Sequence, residues 1–160
     1  MVNVELRPVR PDESDELYRG YRESALVAYA HVFPPELYRF PDDDVRQMWR
    51  ELVSENGRRH QLFVAEVDGE ILGAIVATPE TLEHLFVVPS YWGTGVADTL
   101  HDAAVALSRA SGADVCRLEV LEENWRARRF YQRHSWVRDE RRSVAHYPPQ
   151  LAVVGYTLSL

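Results

Sequence analysis

Two glycines mark the stretch of this chain that is best suited to chemistry. Gly93 and Gly95 stand in the hexapeptide Trp92-Gly93-Thr94-Gly95-Val96-Ala97, after an apolar run that Pro89 ends and before apolar residues at spacings of three and four. This order predicts a strand, a turn and a helix. Glycines at such a turn let the backbone approach a ligand, and the free N–H groups of the first helical turn favour an anion. The hexapeptide therefore predicts a binding site for a phosphate or pyrophosphate.

The same pattern has two other interpretations. A Gly-x-Gly sequence between a strand and a helix is often only a tight turn. It also occurs in dinucleotide-binding fingerprints, for which Glu122 or Glu123 lies at a suitable distance to bond a ribose. Asp98 at the position of the third glycine, and the short length of chain that follows, argue against a fingerprint.

A second segment strengthens the anion-binding interpretation. Residues 117–131 are predicted to form a strand, a helix start at Asn124 and a helix with Ala127, Phe130 and Tyr131 on one side. Together the two segments resemble the acetyl-coenzyme A binding core of the GNAT superfamily of N-acetyltransferases. The hexapeptide matches the superfamily's pyrophosphate signature Arg/Gln-x-x-Gly-x-Gly/Ala except at its first position, and the later pattern Asn-x-x-Ala-x-x-Phe-Tyr is matched without a gap.

The resemblance has two departures. Trp92 stands where the superfamily usually has Arg or Gln, which removes one side-chain donor and leaves more of the pyrophosphate binding to backbone N–H groups. Ser135-Trp136 replaces the usual Gly-Phe after the second helix. Ser135 is therefore expected to adopt the backbone angle of a glycine.

The resemblance implies that acetyl-coenzyme A is the co-substrate, with its pyrophosphate on residues 93–97 and its pantetheine arm along residues 85–88. In the superfamily this strand and the next, here residues 115–121, diverge and leave backbone groups for the arm. A backbone N–H there also serves as an oxyanion donor. The residues expected to bind the cofactor are Phe86, Val87, Val88, Trp92, Gly93, Thr94, Gly95, Val96, Ala97 and Asn124. Helix capping alone also explains Asn124.

The transfer chemistry needs an acid and a base. The resemblance assigns Tyr131 as the acid that protonates the departing thiolate, and packing against the sheet is the alternative role. A lysine-like amine has a pKa near 10.4, so it is mostly protonated at pH 7. Only the neutral form attacks a carbonyl, so a base must accept the proton. Glu83 interrupts an apolar strand and is the candidate base, since partial burial would raise its pKa toward the working range. The alternative is that Glu83 pairs with an arginine or is exposed at the strand start. His84 and a water molecule are the alternatives.

The elements that must position these residues follow the order βααβββαβαββ. This order predicts an α/β fold with a GNAT-like mixed central sheet flanked by helices, in a single domain over residues 1–160. Strands are predicted at residues 2–6, 61–67, 70–77, 82–88, 115–121, 136–137 and 151–160, and helices at residues 11–30, from 42 to before Asn56, 95–110 and 124–134. Tyr29, Phe33 and Tyr38 either line the wall of an acceptor pocket or fill the core beneath a loop.

Composition limits the partners. The chain has 160 residues, 46% of them apolar, and a formal net charge of −7, which argues against a nucleic-acid partner. No apolar run approaches the roughly 20 residues that span a bilayer, and no signal-peptide core is visible, so a cytoplasmic protein with no membrane partner is expected. No histidine or cysteine has metal-ligand spacing, which predicts no metal. Arg126, Arg128 and Arg129 form either a positive rim near the nucleotide or solvated helix charges.

The predicted function is transfer of acetyl from acetyl-coenzyme A to the amine of a small molecule or peptide, by direct attack in a ternary complex. A catalytically silent coenzyme A binding or sensing module is the alternative, which Trp92 keeps open. The sequence does not identify the acceptor or the oligomeric state, and a homodimer is one of the states it allows.

Overall fold

The computed structural model describes residues 3–147 and 149–160. The elements in this part of the chain are β1 (Glu5–Pro8), α1 (Ser14–Ala28), α2 (Asp42–Ser54), β2 (Gln61–Val67), β3 (Glu70–Ala77), β4 (Leu82–Val87), α3 (Val96–Ala110), β5 (Val115–Leu121), α4 (Trp125–Arg133), β6 (Val137–Val144) and β7 (Ala152–Ser159). A short 3₁₀ turn, Pro89–Tyr91, joins β4 to α3. The mixed α/β class is confirmed, and the elements follow the predicted order.

The predicted boundaries differ from the observed ones mainly near the N-terminus and in β6. β1 begins where Glu5 pairs with Glu66 of β2, and Val2 lies outside the described residues. α1 begins at Ser14 because residues 11–12 form a turn. Residues 138–142, expected to follow a very short strand, belong to β6. β6 is an edge strand, where charged side chains remain in solvent and discourage further strand pairing.

The strands form two antiparallel sheets rather than one continuous sheet. Their orders are β1-β2-β3-β4 and β5-β7-β6. Within the described residues, the ladders of β4 and β5 are joined by one parallel bridge, between Thr81 and Arg117, where the Arg117 N–H donates to the Glu80 carbonyl at 2.9 Å. Beyond this bridge the two strands diverge, as the resemblance implied.

The first sheet has a hydrophobic layer on each face. Ile75 of β3 packs in a cluster with α3 and the second sheet, whereas its neighbour Val76 packs in a cluster beneath α1 and α2. This alternation follows from the two-residue period of a strand. A Cβ at Gly73 would lie only 2.5 Å from the Phe86 carbonyl oxygen, so glycine allows β3 to approach β4 closely. Together the two layers fix the position of β4.

Polar contacts hold the end of α4 beside the start of α3. His134 Nε2 lies 2.7 Å from Asp98 Oδ1, and the Trp136 indole N–H donates to His101 Nε2 at 2.9 Å. Ser135 between them has a φ of +69°, the glycine-like angle expected from the sequence. These contacts therefore place helix α4 next to the turn that joins β4 to α3.

Within the described residues, none of the helices combines the length and the apolar character needed to cross a bilayer.

Candidate active site

The pairing of β4 with β3 determines which backbone groups are free. The Val88 N–H donates to the Leu72 carbonyl at 2.8 Å, and Phe86 pairs with Ala74 in the same register. Backbone groups of alternate residues in an antiparallel strand point to opposite edges. The N–H and C=O groups of Leu85 and Val87 therefore face the gap toward β5. Of the predicted residues, Val87 can offer its backbone N–H to a ligand, whereas the backbone groups of Phe86 and Val88 point toward β3.

Trp92 bridges the end of β4 and helix α4. Its indole N–H donates to the Val87 carbonyl at 2.7 Å, and the Arg126 guanidinium lies 4.1 Å from the centre of its ring. Such a cation–π contact orients the guanidinium. Trp92 thus holds an arginine side chain at the turn where the family signature usually has Arg or Gln.

A cleft of about 380 Å³ opens between the turn before α3 and helix α4. Of the predicted cofactor-binding residues, those that line it are Phe86, Val87, Trp92, Gly93, Gly95, Ala97 and Asn124. Thr94 does not line the cleft, and its hydroxyl donates to the Tyr91 carbonyl at 2.6 Å. Val96 is fully buried in the core. Any ligand contact of Thr94 or Val96 would therefore come from the backbone.

The cleft carries strong positive charge. Arg126, Arg129 and Arg133 line it from successive turns of α4. In the part of the chain that the structure describes, none of the three forms an ion pair with a carboxylate. Burial, followed by repulsion from Arg129 and Arg133, lowers the pKa of Arg126. Asp98, which lies beside His134, is the carboxylate among the described residues of this lining. Because three arginines outnumber it, the cleft favours an anionic ligand in a chain with a net charge of −7.

Arg128 has a different role from the other arginines. Its Nε donates to the Tyr156 hydroxyl at 3.0 Å and its Nη1 to the Glu122 carbonyl at 2.8 Å. Of the three arginines that the sequence offered as a positive rim, Arg126 and Arg129 line the cleft, while Arg128 joins α4 to β7. Arg133, which the sequence reasoning missed, completes the cluster.

The N-terminus of α3 faces the same cleft. Gly95 is its N-cap residue with a φ of +94°, and a Cβ placed on it would meet no atom within 4 Å. The glycine thus leaves open space in front of the first-turn N–H groups. The dipole of this helix adds to the attraction for an anion.

A second cavity, of about 590 Å³, adjoins the first. It lies between α1, the segment that joins α1 to α2, and the diverging strands β4 and β5. Tyr29, Phe33 and Tyr38 line it, which favours the wall interpretation of these aromatics. The residues that line both cavities are Tyr21, Ala25, Tyr29, Leu85, Asn124, Ala127 and Tyr131. A molecule in one cavity can therefore reach a molecule in the other beside Leu85 and Tyr131.

Tyr131 lies at this junction with its side chain almost enclosed. Its exposed fraction is 7%, and no group in the described residues bonds its hydroxyl. Burial, with a smaller contribution from Tyr29, raises the pKa of Tyr131 above its ordinary value near 10. The phenol is therefore protonated at neutral pH and free to donate a hydrogen bond. Asn124 beside it accepts the Ala127 N–H at 3.2 Å as a helix cap and donates to the Tyr29 hydroxyl at 3.4 Å.

The two candidate bases have different surroundings. Glu83 lines the second cavity and is exposed, which agrees with the alternative of exposure at the strand start rather than with partial burial. The pairing of β4 with β3 is irregular here, since Ala77 pairs with Leu82 and Val76 with His84, so Glu83 has no partner on β3. His84 lines the same cavity, and its ring centre lies 5.9 Å from that of Trp49. Burial and the neighbouring His60 lower the pKa of His84 to about 4, so it is neutral at pH 7 and a weak base.

Comparison with known proteins shows the family of this chain. Residues 15–136 match the family model described as the acetyltransferase (GNAT) family. The chain belongs to the GNAT family. Among curated proteins, it is 28% identical over 141 residues to an uncharacterized N-acetyltransferase of Archaeoglobus fulgidus, covering 80% of this chain and 89% of that protein.

Solved structures share the fold of this GNAT protein. One is described as a GCN5-related N-acetyltransferase, aminotransferase class II, from Rhodopseudomonas palustris, with a TM-score of 0.81, 21% identity and coverage of 100% and 98% of the two chains. Another is the PaiA N-acetyltransferase of Thermoplasma acidophilum in complex with coenzyme A, with a TM-score of 0.75, 18% identity and coverage of 96% and 98%. At these identities the likeness concerns the fold.

The fold of this GNAT protein also brings together residues that could ligate a metal. His101, Asp102 and His134 offer ligand atoms that all lie within 4.8 Å of one another. Sequence spacing did not reveal this cluster because His134 comes from α4. Both ring nitrogens of His101 are engaged, Nε2 by the Trp136 indole and Nδ1 at 3.1 Å from Asp102, so a metal would displace one of these hydrogen bonds.

Proposed function

We propose that this GNAT protein transfers the acetyl group of acetyl-coenzyme A to an amine by direct attack within a ternary complex. The observation that carries the proposal is the meeting of two cavities at Leu85 and Tyr131. One cavity has the cationic lining that an anionic cofactor needs. The other offers carboxylates to an amine. A shared junction allows the two substrates to react without a covalent enzyme intermediate.

The first cavity suits coenzyme A along its length. The pyrophosphate would lie on the N-terminus of α3, between the first-turn N–H groups and the arginines of α4. The pantetheine arm would run along β4 in the manner of an added strand and bond the free backbone groups of Leu85 and the N–H of Val87, whose carbonyl accepts the Trp92 indole N–H. The coenzyme A complex of the PaiA enzyme, which has the same fold, supports this assignment by analogy.

The residues at the junction supply the proton transfers. The amine nitrogen attacks the thioester carbonyl carbon, the C–S bond breaks, and the thiolate takes a proton from the Tyr131 hydroxyl. The ammonium proton passes to Glu83 directly or through water. A free N–H of β4 would stabilise the negative charge that develops on the carbonyl oxygen.

Two measurements on the wild-type protein test the proposal. Acetyl-coenzyme A should raise Tm in a concentration-dependent manner, because a ligand that binds only the folded state stabilises it by mass action. Thiol release from acetyl-coenzyme A should then depend on an added amine, with the acetylated product detected by mass. Binding without amine-dependent thiol release would instead support a silent coenzyme A sensor, and absence of binding would refute both functions.

Arg126→Ala is expected to raise the Kd for acetyl-coenzyme A about tenfold. The variant removes one charge-assisted contact with the pyrophosphate, and about 1.4 kcal/mol corresponds to a factor of ten. Isothermal titration at two salt concentrations measures the effect, which should shrink at high salt because exposed charges are screened. Arg109→Ala at the other end of α3 removes the same charge and is the control. Equal weakening in both variants would contradict a specific contact.

A further inference from the structure

We infer that the acceptor of this enzyme is a small primary amine on an apolar, preferably aromatic, body, with its ammonium group received between Glu83 and Glu119. The inference rests on the proposed function, because it names the substrate of the same site. It depends on the lining of the second cavity, on two carboxylates and on the position of the Tyr131 hydroxyl.

The lining of the second cavity is mainly apolar and aromatic. Tyr29, Phe33 and Tyr38 form a chain of edge-to-face contacts along one wall, with ring centres 6.3 and 5.8 Å apart. Phe40 and Tyr147 add two more rings. The volume of about 590 Å³ lies in the range of about 300–1,000 Å³ that is typical of small-molecule sites. Such a lining stabilises a hydrocarbon or an aromatic ring by removing it from water.

Two carboxylates are part of this lining. Glu83 of β4 and Glu119 of β5 each lie two residues beyond the bridge between Thr81 and Arg117. Glu83 lies where the pairing of β4 with β3 is irregular, since Val76 pairs with His84 and Ala77 with Leu82, whereas Glu119 pairs with Gly155 of β7. Both glutamates are exposed at the edge of the cavity. Both line the cavity. Sequence reasoning missed Glu119, since nothing in its local pattern distinguishes it from a solvent-facing residue of β5.

The charge of this pair is not neutralised by the residues around it. In the described part of the chain, neither glutamate forms an ion pair. Arg141 is affected by the charge of Glu119, but its guanidinium is bonded to Asp139 at 2.7 Å. His84 is neutral at pH 7, and Arg39 is the one arginine among the described residues that line the cavity. The cavity therefore has a net negative charge that complements one ammonium group.

Tyr131 shows where the reacting nitrogen must arrive. It is more than nine-tenths buried, and no described residue bonds its hydroxyl. It lies on the boundary shared by the two cavities, together with Leu85. An amine held by Glu83 and Glu119 would have its nitrogen on the side of the cavity that leads to this boundary, and its apolar body would lie toward the aromatic wall.

This lining disfavours two other kinds of acceptor. A polyamine or an aminoglycoside would bring further ammonium groups against aromatic and aliphatic side chains, and an unpaired buried charge is costly. A peptide N-terminus would bring amide groups that find few hydrogen-bonding partners there. A monoamine with a hydrocarbon body meets neither penalty.

Steady-state kinetics on a panel of amines tests the inference. We expect kcat/KM for 2-phenylethylamine to exceed that for spermidine, kanamycin and an alanine-initiated tetrapeptide by about 100-fold, because a buried ring removes a large apolar area from water. Hexylamine should fall between these extremes. A preference for spermidine, kanamycin or the peptide would overturn the inference and leave the proposed function intact. Bound acetyl-coenzyme A without acetylation of any amine would overturn both.

Substitutions at two positions, Glu119 and Phe33, test the carboxylates and the aromatic wall separately. Glu119→Gln should raise KM for 2-phenylethylamine about tenfold with no change in KM for acetyl-coenzyme A, whereas Glu80→Gln, an exposed residue outside both cavities, should change neither value. Phe33→Ala should raise KM for 2-phenylethylamine, and Phe33→Leu should recover part of the loss. An unchanged amine KM in Glu119→Gln would overturn the role of the carboxylate pair, even if Phe33→Ala is too unstable to assay.

Discussion

Tyr131→Phe is expected to lower kcat by about 100- to 1,000-fold, the range typical of a lost general acid. The hydroxyl is the only group removed, and it has no hydrogen-bond partner among the described residues, so Tm and the Kd for acetyl-coenzyme A should remain close to the wild-type values. Thiol release under saturating substrates measures kcat, and isothermal titration measures Kd. Equal losses in turnover and in cofactor binding would contradict the assignment of Tyr131 as the acid.

The control for this substitution is Tyr156→Phe. Tyr156 is fully buried, and its hydroxyl accepts a hydrogen bond from Arg128 at 3.0 Å, away from both cavities. It should lose about 1 kcal/mol of stability, as expected for one hydrogen bond, and retain its turnover. Because burial raises the pKa of Tyr131, the wild-type kcat should also show no alkaline fall up to about pH 9 from ionisation of this phenol.

Gly95→Ala should weaken acetyl-coenzyme A binding by about 10- to 100-fold. The new Cβ would occupy the open space in front of the α3 N-terminus and move a phosphate oxygen away from the first-turn N–H groups. Loss of a charge-assisted hydrogen bond costs about 1.5–3 kcal/mol, which corresponds to this range of affinity. The variant should also be less stable, since its φ of +94° is strained for any residue with a Cβ. Isothermal titration and thermal unfolding measure the two effects.

Gly112→Ala separates strain from ligand contact. Gly112 has a φ of +81°, and a Cβ placed on it would likewise meet no atom within 4 Å. Unlike Gly95, it follows the C-terminal end of α3. Its replacement should reduce stability by a similar amount, about 1–2 kcal/mol, with little change in cofactor affinity. If both alanine variants weakened binding equally, the pyrophosphate would not lie at Gly95.

Much of the fold could be predicted because its signals are local. The bounds of β2, β3 and β5 follow from apolar runs between turn residues, and Asn124 caps α4 because its side chain reaches an N–H three residues later. The glycine turn before α3 and the Asn-to-Tyr131 pattern were sufficient to indicate the GNAT family. Each of these features depends on residues that are neighbours in the chain.

Features that depend on distant residues could not be decided from the sequence. Glu83 interrupts an apolar strand, which left partial burial and exposure both open, and the structure places it exposed where the pairing of β4 with β3 is irregular. The hexapeptide shows that position 92 lacks a polar side-chain donor, but only the return of α4 places Arg126 over the Trp92 ring. Similarly, the register of β4 on β3 decides that Leu85 rather than Phe86 offers its backbone to the gap.

The sequence by itself determined the order of the elements, the glycine turn before α3 and the family, because periodicity, capping and glycine turns act over a few residues. The tertiary structure alone decided which groups share the site. Glu83 and Glu119 line one cavity because their strands meet at one bridge before they diverge, and the arginines of α4 reach the start of α3 because His134 and Trp136 dock there. The physical reason is that packing and strand register, rather than local sequence, bring distant residues within contact distance.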